Sequence, residues 1–378
     1  MSAPTALRGP SWLRGSSWLR GGRLPLVGLR VHRRPLVVGL LVAAACAALA
    51  VIALGTGDYP LTPAQVLTAA LDPGAGFERT IVLEWRLPRV LAALAFGAAL
   101  GASGAVFQSL TRNPLGSPDV IGFSTGAYTG ALLSLTVLTG ASASFSATTG
   151  SATGSTGGGV STTVGALVGG MLTAAAVYAL ARVHGSVQGY RLVVVGIAAT
   201  AVLHAANTYL LLRAQTEVAM AGAVWGAGSL SLVGWDDLRW ALAVLVVLLP
   251  LLALLSTALR QLELGDDAAG AHGVPVERAR LALVVVGVAL VSVVTASTGP
   301  IAFVALAAPQ VARLAVRGAG LPLTGSALVG SLLLLSADQV AQRFASGVPV
   351  GVVTVVGGGV YLLVLLLVRG RSRGRGAA

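Results

Sequence analysis

Leu242-Ala-Val-Leu-Val-Val-Leu-Leu-Pro-Leu-Leu-Ala-Leu-Leu255 contains no charged residue and no alternation of polar with apolar side chains. A membrane β-strand needs that alternation, one face in lipid and the other in the lumen, so the run reads as helix and argues against a closed barrel. The rest of the chain repeats the pattern. Of its 378 residues, 55% are hydrophobic, 10% are charged and 50 are Gly. A soluble domain of this size does not have that composition. Apolar runs of about 20 residues cross a hydrocarbon core of about 30 Å as helices, and the chain has room for about ten of them. The expected fold class is all-α, a polytopic membrane protein.

The formal charge of +12 would suit nucleic acid if it formed a face, but the charges gather at the chain ends. Arg8, Arg14, Arg20, Arg23, Arg30, Arg33 and Arg34 precede the first apolar run; Arg369, Arg371, Arg373 and Arg375 follow the last. The positive-inside rule then places both termini in the cytoplasm, which requires an even number of crossings, and no nucleic-acid partner is expected. All 25 basic residues are Arg, which reads as codon bias rather than chemistry. The lone cysteine, Cys46, excludes a disulfide framework or thiolate cluster within one chain. The run from Leu36 to Leu54 lacks a small-x-small cleavage site before a polar domain, so it reads as a first helix and not as a cleaved signal peptide.

Three regions follow. Residues 1–35 form a basic cytoplasmic tail with Ser-Trp-Leu-Arg-Gly at 11–15 and 17–21; it is expected to be disordered, with Trp12 and Trp18 at the lipid headgroups as the alternative. Residues 36–368 form the transmembrane domain, and 369–378 a second basic cytoplasmic tail. From Val120 to Ala181 no Asp, Glu, Lys or Arg occurs, too long a stretch for one crossing. It must turn in the Gly/Ser/Thr-rich part near 140–163, where backbone can be solvated. Leu281 to Ala312 splits likewise at Ser297-Thr298-Gly299-Pro300. Helices are expected at 36–55, 88–109, 116–138, 163–182, 191–212, 238–257, 279–297, 302–316, 324–342 and 350–368. With the termini inside, Arg112, Arg182, Arg191, Arg260, Arg278, Arg280, Arg313 and Arg317 fall at inner ends. Asp58, Asp72, Glu78, Glu84, Glu217, Asp236 and Asp237 fall outside.

Three segments carry chemistry. The inner loop at about 258–278 mixes charge with glycine, and Asp266-Asp267 sits where it could cap a short helix; a plain solvated loop fits the residues equally well. Arg86-Leu-Pro-Arg89 sets two guanidinium groups on the outer face, where they could pair with a partner's carboxylates or simply snorkel. Gln108 to Ala127 is dense in Pro, Gly and small polar residues at the membrane edge. Such backbone suits a translocation path, though a well-capped turn explains Asn113-Pro114 too.

Arg86-Leu-Pro-Arg-Val-Leu-Ala-Ala-Leu, Gly104-Ala-Val-Phe-Gln-Ser-Leu-Thr-Arg-Asn-Pro-Leu-Gly-Ser-Pro-Asp, Gly299-Pro-Ile-Ala-Phe-Val-Ala-Leu-Ala-Ala-Pro and Val348-Pro-Val-Gly-Val-Val-Thr, in order, closely resemble the permeases of iron-siderophore, heme and cobalamin ABC importers. The resemblance spans about residues 36 to 368. Gly116-Ser-Pro-Asp-Val-Ile-Gly-Phe, Leu262-Glu-Leu-Gly-Asp-Asp and Gly357-Gly-Gly-Val-Tyr look most like the branch carrying a ferric catecholate siderophore. The resemblance implies a type II importer fold of ten helices and a second permease subunit, homologous or identical. It also implies two cytoplasmic ATPase subunits holding ATP-Mg, an extracytoplasmic binding protein, and an Fe(III)-siderophore as cargo, with heme or cobalamin as alternatives. It implies no cofactor or metal on this chain.

By the same resemblance Arg86, Arg89 and Arg343 dock the binding protein, although Gln342 stands where many members have Arg. Glu263, Gly265, Asp266, Asp267 and Gly273 belong to the loop seated in the ATPase, and Asn113, Pro114 and Leu115 to a cytoplasmic gate. Pro309-Gln310 departs from the family's common Pro-His pair. His204 and Asn207, spaced i,i+3, are expected to hydrogen-bond between helices, and Asp338 to be structural. No Gly-x-x-x-x-Gly-Lys-Ser/Thr loop is present, so the chain is not expected to hydrolyse ATP. An ion-coupled transporter would call for paired intramembrane carboxylates, and the sequence offers none.

Overall fold

The computed structural model describes residues 24–26, 29–31, 33–72, 74, 76–138, 158–183, 186–187, 189–231, 233–317, 322–344 and 347–374. The expected disorder of the N-terminal tail, its two repeats and most of the loop at 139–162 therefore lie outside the described residues. The helices are α1 Arg33–Gly55, α2 Pro63–Leu71, α3 Gly76–Thr80, α4 Leu87–Thr111, α5 Phe123–Leu133, α6 Gly158–Ala181, α7 Gly189–Arg213, α8 Thr216–Gly226, α9 Trp235–Glu263, α10 Asp266–Ala271, α11 Val276–Thr298, α12 Val304–Val316, α13 Leu323–Phe344 and α14 Val350–Gly374. Strands among the described residues amount to two small antiparallel hairpins, Leu24–Leu26 with Leu29–Val31 and Arg182–Val183 with Ser186–Val187. The protein is all-α and polytopic.

Seven helical stretches among the described residues are long and apolar enough to cross a membrane. Each of the ten expected ranges overlaps a helix, eight of them 22 residues or longer and two shorter. The third starts at Phe123 rather than 116, because residues 117–122 make successive tight turns that end on Gly122 at φ 91°. And α12 has 13 residues, a length of about 20 Å, short of a full crossing. Its N-cap, Phe303, is left-handed at φ 67°, and an irregular stretch, 299–303, joins it to α11. Irregular backbone at that depth is tolerated because protein surrounds it: Thr298, Gly299 and Ile301 are buried, and the carbonyl of Thr298 accepts from the Ser229 N–H at 2.7 Å.

Contacts fix the helix directions. Arg89 meets Asp338 and Gly101 lies against Ser326, so α4 and α13 run antiparallel. Glu263 reaches Ser109, and Asp266 reaches both Arg112 and Arg280, bringing the end of α9, α10 and the start of α11 to the end of α4. This is the loop end of the bundle. At the opposite end Arg343 reaches Thr56 and the Trp235 indole donates to the Leu83 carbonyl. Arg112, Arg260, Arg278, Arg280, Arg313 and Arg317 lie at the loop end, while Arg86, Arg89 and Arg343 share the other with Asp58, Asp72, Glu78, Glu84, Asp236 and Asp237.

Small residues set the spacing. A Cβ on Gly97, Gly101 or Gly104 of α4 would overlap backbone of Gly330, Ser326 or Ala305, and Gly126 and Gly130 of α5 interlock with Gly169 and Gly165 of α6. Lipid gives helices no hydrophobic reason to associate, so close backbone approach and dispersion do that work. The periphery is apolar as well: Leu40 and Leu41 of α1, Leu172 and Leu180 of α6, and Val246, Val247 and Leu254 of α9 are exposed. In water such a surface would aggregate; in a bilayer it is solvated.

Candidate functional site

At the loop end, Gly265 at φ 122° lets the chain leave α9 and begin α10 at once, and Gly273 at φ 81° turns it toward α11. Both angles favour glycine. Gly265 is the N-cap residue, so Asp266 and Asp267 occupy the first turn of α10 instead of capping it. The two face different ways. Asp266 is clasped, Oδ1 accepting from Arg112 Nη2 at 3.0 Å and Oδ2 from Arg280 Nη2 at 2.8 Å, whereas Asp267 is exposed. Arg280, 8% exposed at its side chain, also donates to Glu277 at 2.7 Å. Glu263 accepts from the Ser109 hydroxyl at 2.5 Å, and Arg112 donates to the Leu262 carbonyl at 3.2 Å. Leu264, Asp267, Ala271, His272 and Gly273 form the exposed rim of this loop.

Immediately beneath, Arg112 ends α4 in the left-handed region at φ 48°, and Asn113 folds the next turn by accepting from the Leu115 N–H at 2.9 Å. A cleft of about 220 Å³ opens here, lined by Gln108, Ser109, Arg112, Asn113, Pro114, Glu263, Gln310 and Arg313. The expected gate residues Asn113 and Pro114 thus share one cavity with the expected coupling residue Glu263, while Leu115 is exposed beside it. Its floor is a run of amides: Arg313 donates to Gln310 at 2.8 Å, Gln310 to Gln108, and Gln108 to the Leu306 carbonyl at 2.9 Å. The sequence places Gln108, Ser109 and Arg112 in the segment suited to a translocation path but gives none of the three side chains a role of its own. The available signal is four polar residues within five positions, 108–112, at the end of a largely apolar helix.

At the opposite end, a π-helical turn over Ile81–Arg86 precedes α4. Arg86 donates to the carbonyls of Leu54 at 2.8 Å and Tyr59 at 2.5 Å. Arg89 grips Asp338 through Nε and Nη2, the latter at 2.7 Å, and Asp338 is wholly buried and accepts also from Gln342 at 2.7 Å. Asp338 is therefore structural, and Gln342, standing where an Arg was expected, helps to satisfy it. Arg343 is exposed and donates to the Thr56 hydroxyl at 2.8 Å. The three arginines reach the same end, but Arg86 and Arg89 are committed to internal partners.

The hydrogen bonds expected from His204 and Asn207 to neighbouring helices do not form among the described residues. His204 is exposed on α7, and Asn207 is buried with neither side-chain polar atom hydrogen-bonded. Between the two ends, Asp119 accepts from Ser124 at 2.7 Å and from the backbone of Phe303, tying the turn after α4 to the start of α12. Among the described residues no three His, Cys, Asp or Glu converge to hold a metal.

Comparison with known proteins places this geometry. The profile of the FecCD transport family matches residues 41–368. The ferric enterobactin transport system permease protein FepG of Escherichia coli (strain K12) is 44% identical over 345 residues, covering 91% of this chain and 99% of that protein. The Fe(3+)-citrate import system permease protein YfmE of Bacillus subtilis (strain 168) is 33% identical, covering 91% and 98%. Among solved structures, an inward-facing conformation of a putative metal-chelate type ABC transporter superposes with a TM-score of 0.71 at 25% identity, over 88% of this chain and 99% of that one.

Proposed function

The chain belongs to the FecCD transport family, and we propose that it is the membrane-spanning permease subunit of a binding-protein-dependent ABC importer carrying a ferric siderophore of the catecholate, enterobactin-like class. The observation that carries this reading is the near end-to-end identity with FepG. Two cytoplasmic ATPase subunits supply the energy, a second permease subunit completes the path, and both termini lie in the cytoplasm, where the loop-end arginines meet the rule for inner-facing charge. The chain itself hydrolyses nothing. Leu264, Asp267 and His272 seat in the ATPase, and movement of α10 passes through Asp266 to Arg280 on α11 and Arg112 on α4. The residues that follow Arg112 are the gate. Glu263 and Ser109 make a second link across the same joint. At the outer end exposed Arg343 is the cation available to the binding protein, with Arg86 and Arg89 shaping the seat behind it.

Uptake of radioiron-labelled ferric enterobactin tests the cargo, in cells lacking their own permease pair and supplied with this chain, its partner permease, ATPase and binding protein. Uptake should exceed that of ferric citrate or cobalamin. Preference for cobalamin or heme would replace the cargo, and ATP hydrolysis by the purified chain alone would overturn the subunit assignment. Reporter fusions that place either terminus outside would overturn the orientation.

A further inference from the structure

A second cavity lies at the loop end, apart from the coupling cleft. It measures about 50 Å³ and is walled by Pro35, Val38, Val42, Val316, Pro322 and Leu328, with Gly39 and Gly325 leaving it open. Thr324 is the one polar residue of a lining that is otherwise apolar or glycine, and the walls come from α1, α12 and the start of α13. The cavity borders the bilayer, because the neighbouring face of α1 presents Leu36, Val37, Leu40 and Leu41 outward. Three exposed guanidinium groups flank the wall residues in sequence: Arg33 and Arg34 precede Pro35, and Arg317 follows Val316 with its backbone left-handed at φ 50°. Among the described residues none of the three pairs with a carboxylate, in contrast to Arg89, Arg112 and Arg280 at the other joints.

We infer that this groove is a binding site for an anionic phospholipid, part of one acyl chain lying between α1, α12 and α13 and the phosphate held by Arg33, Arg34 and Arg317. The apolar wall and the cations adjoining it in sequence fall at one end of the bundle, as in the basic pockets between transmembrane helices that take acidic lipids. A free anion would use the arginines and leave the greasy groove uncovered. A zwitterionic lipid would fill the groove but bring no net charge to balance the three cations. A lipid with a net negative headgroup satisfies both. The ligand braces α1 against α12, the short helix that carries Gln310 and Arg313 into the coupling cleft.

The test uses the full chain purified in mild detergent, with thermal melting and native mass spectrometry as readouts and dioleoyl phosphatidylglycerol, dioleoyl phosphatidylcholine and inorganic phosphate as probes. Phosphatidylglycerol should raise the melting temperature and remain bound on delipidation at least several-fold better than phosphatidylcholine; phosphate should do neither. The triple variant Arg33→Ala, Arg34→Ala, Arg317→Ala should abolish the preference, whereas Arg191→Ala, Arg260→Ala, Arg278→Ala, equal in charge and at the same end, should retain it. Gly39→Leu, whose first added carbon meets only Leu328 at 3.8 Å, should fill the groove and lose the lipid with every arginine in place. Equal retention of the two lipids, an equal loss in the control triple, or a full effect of phosphate would each overturn the site. None of these readouts depends on cargo, so the test is separable from the proposed function.

Discussion

The two ends of α4 are both closed by arginine and aspartate, yet they are built for opposite purposes. At the start of the helix Arg89 grips a fully buried Asp338, with Gln342 on the remaining oxygen. At its end Arg112 shares a half-exposed Asp266 with Arg280. A buried, bidentate pair is a rivet, since breaking it strands a charge where water cannot reach. A hydrated pair of the second kind is worth little in stability and can open and close at little cost, as a joint that transmits motion must. A transporter needs one end of its central helix fixed and the other free to be driven.

Breaking the rivet should have the largest effect. Asp338→Ala is expected to cost about 3 kcal/mol, the lower part of the range for removing one partner of a buried pair, because Arg89 retains some access to water; thermal melting of the purified chain measures it, and a loss under about 1 kcal/mol would place Asp338 among ordinary surface pairs. Asp266→Lys with Asp267→Lys should nearly abolish uptake while membrane insertion and melting stay close to the parent, with ATP hydrolysis continuing uncoupled; normal uptake would move the coupling site elsewhere. Ser109→Ala removes one bond to a carboxylate, and a several-fold drop in transport with about 1 kcal/mol or less of stability is expected for a partly hydrated contact. If melting falls as far as in Asp338→Ala, the loop end is a rivet too. Arg343→Glu should leave folding and ATP hydrolysis unchanged and weaken only binding-protein docking, with a reduced dependence on salt; docking measured by pull-down at two ionic strengths decides it.

The helices are legible in the sequence because lipid imposes one simple demand, a long run of apolar side chains, and the chain meets it repeatedly. The break before α12 is legible as well: Ser297-Thr298-Gly299-Pro300 sets the expected start at 302, two residues from the observed Val304. The loop residues are legible as a group but not as individuals. Asp266 and Asp267 are adjacent and chemically alike, and which of them turns inward depends on the φ of Gly265 and on Arg112, 154 positions away from Asp266. The same distance blindness hides the outer arginines' partners, since nothing near Arg86-Leu-Pro-Arg89 announces Asp338. His204 and Asn207 mark the limit of spacing arguments, which place residues on a helix without saying what the helix leans on.

Gln310, finally, leaves the floor of the cleft without a group that titrates near neutral pH. An imidazole at that position would gain charge within about one pH unit either side of 6.5, and the chain of donors from Arg313 through Gln310 to Gln108 and the Leu306 carbonyl would then change direction or break. A carboxamide has no proton to gain. The floor of the cleft keeps one pattern of donors and acceptors through acidification.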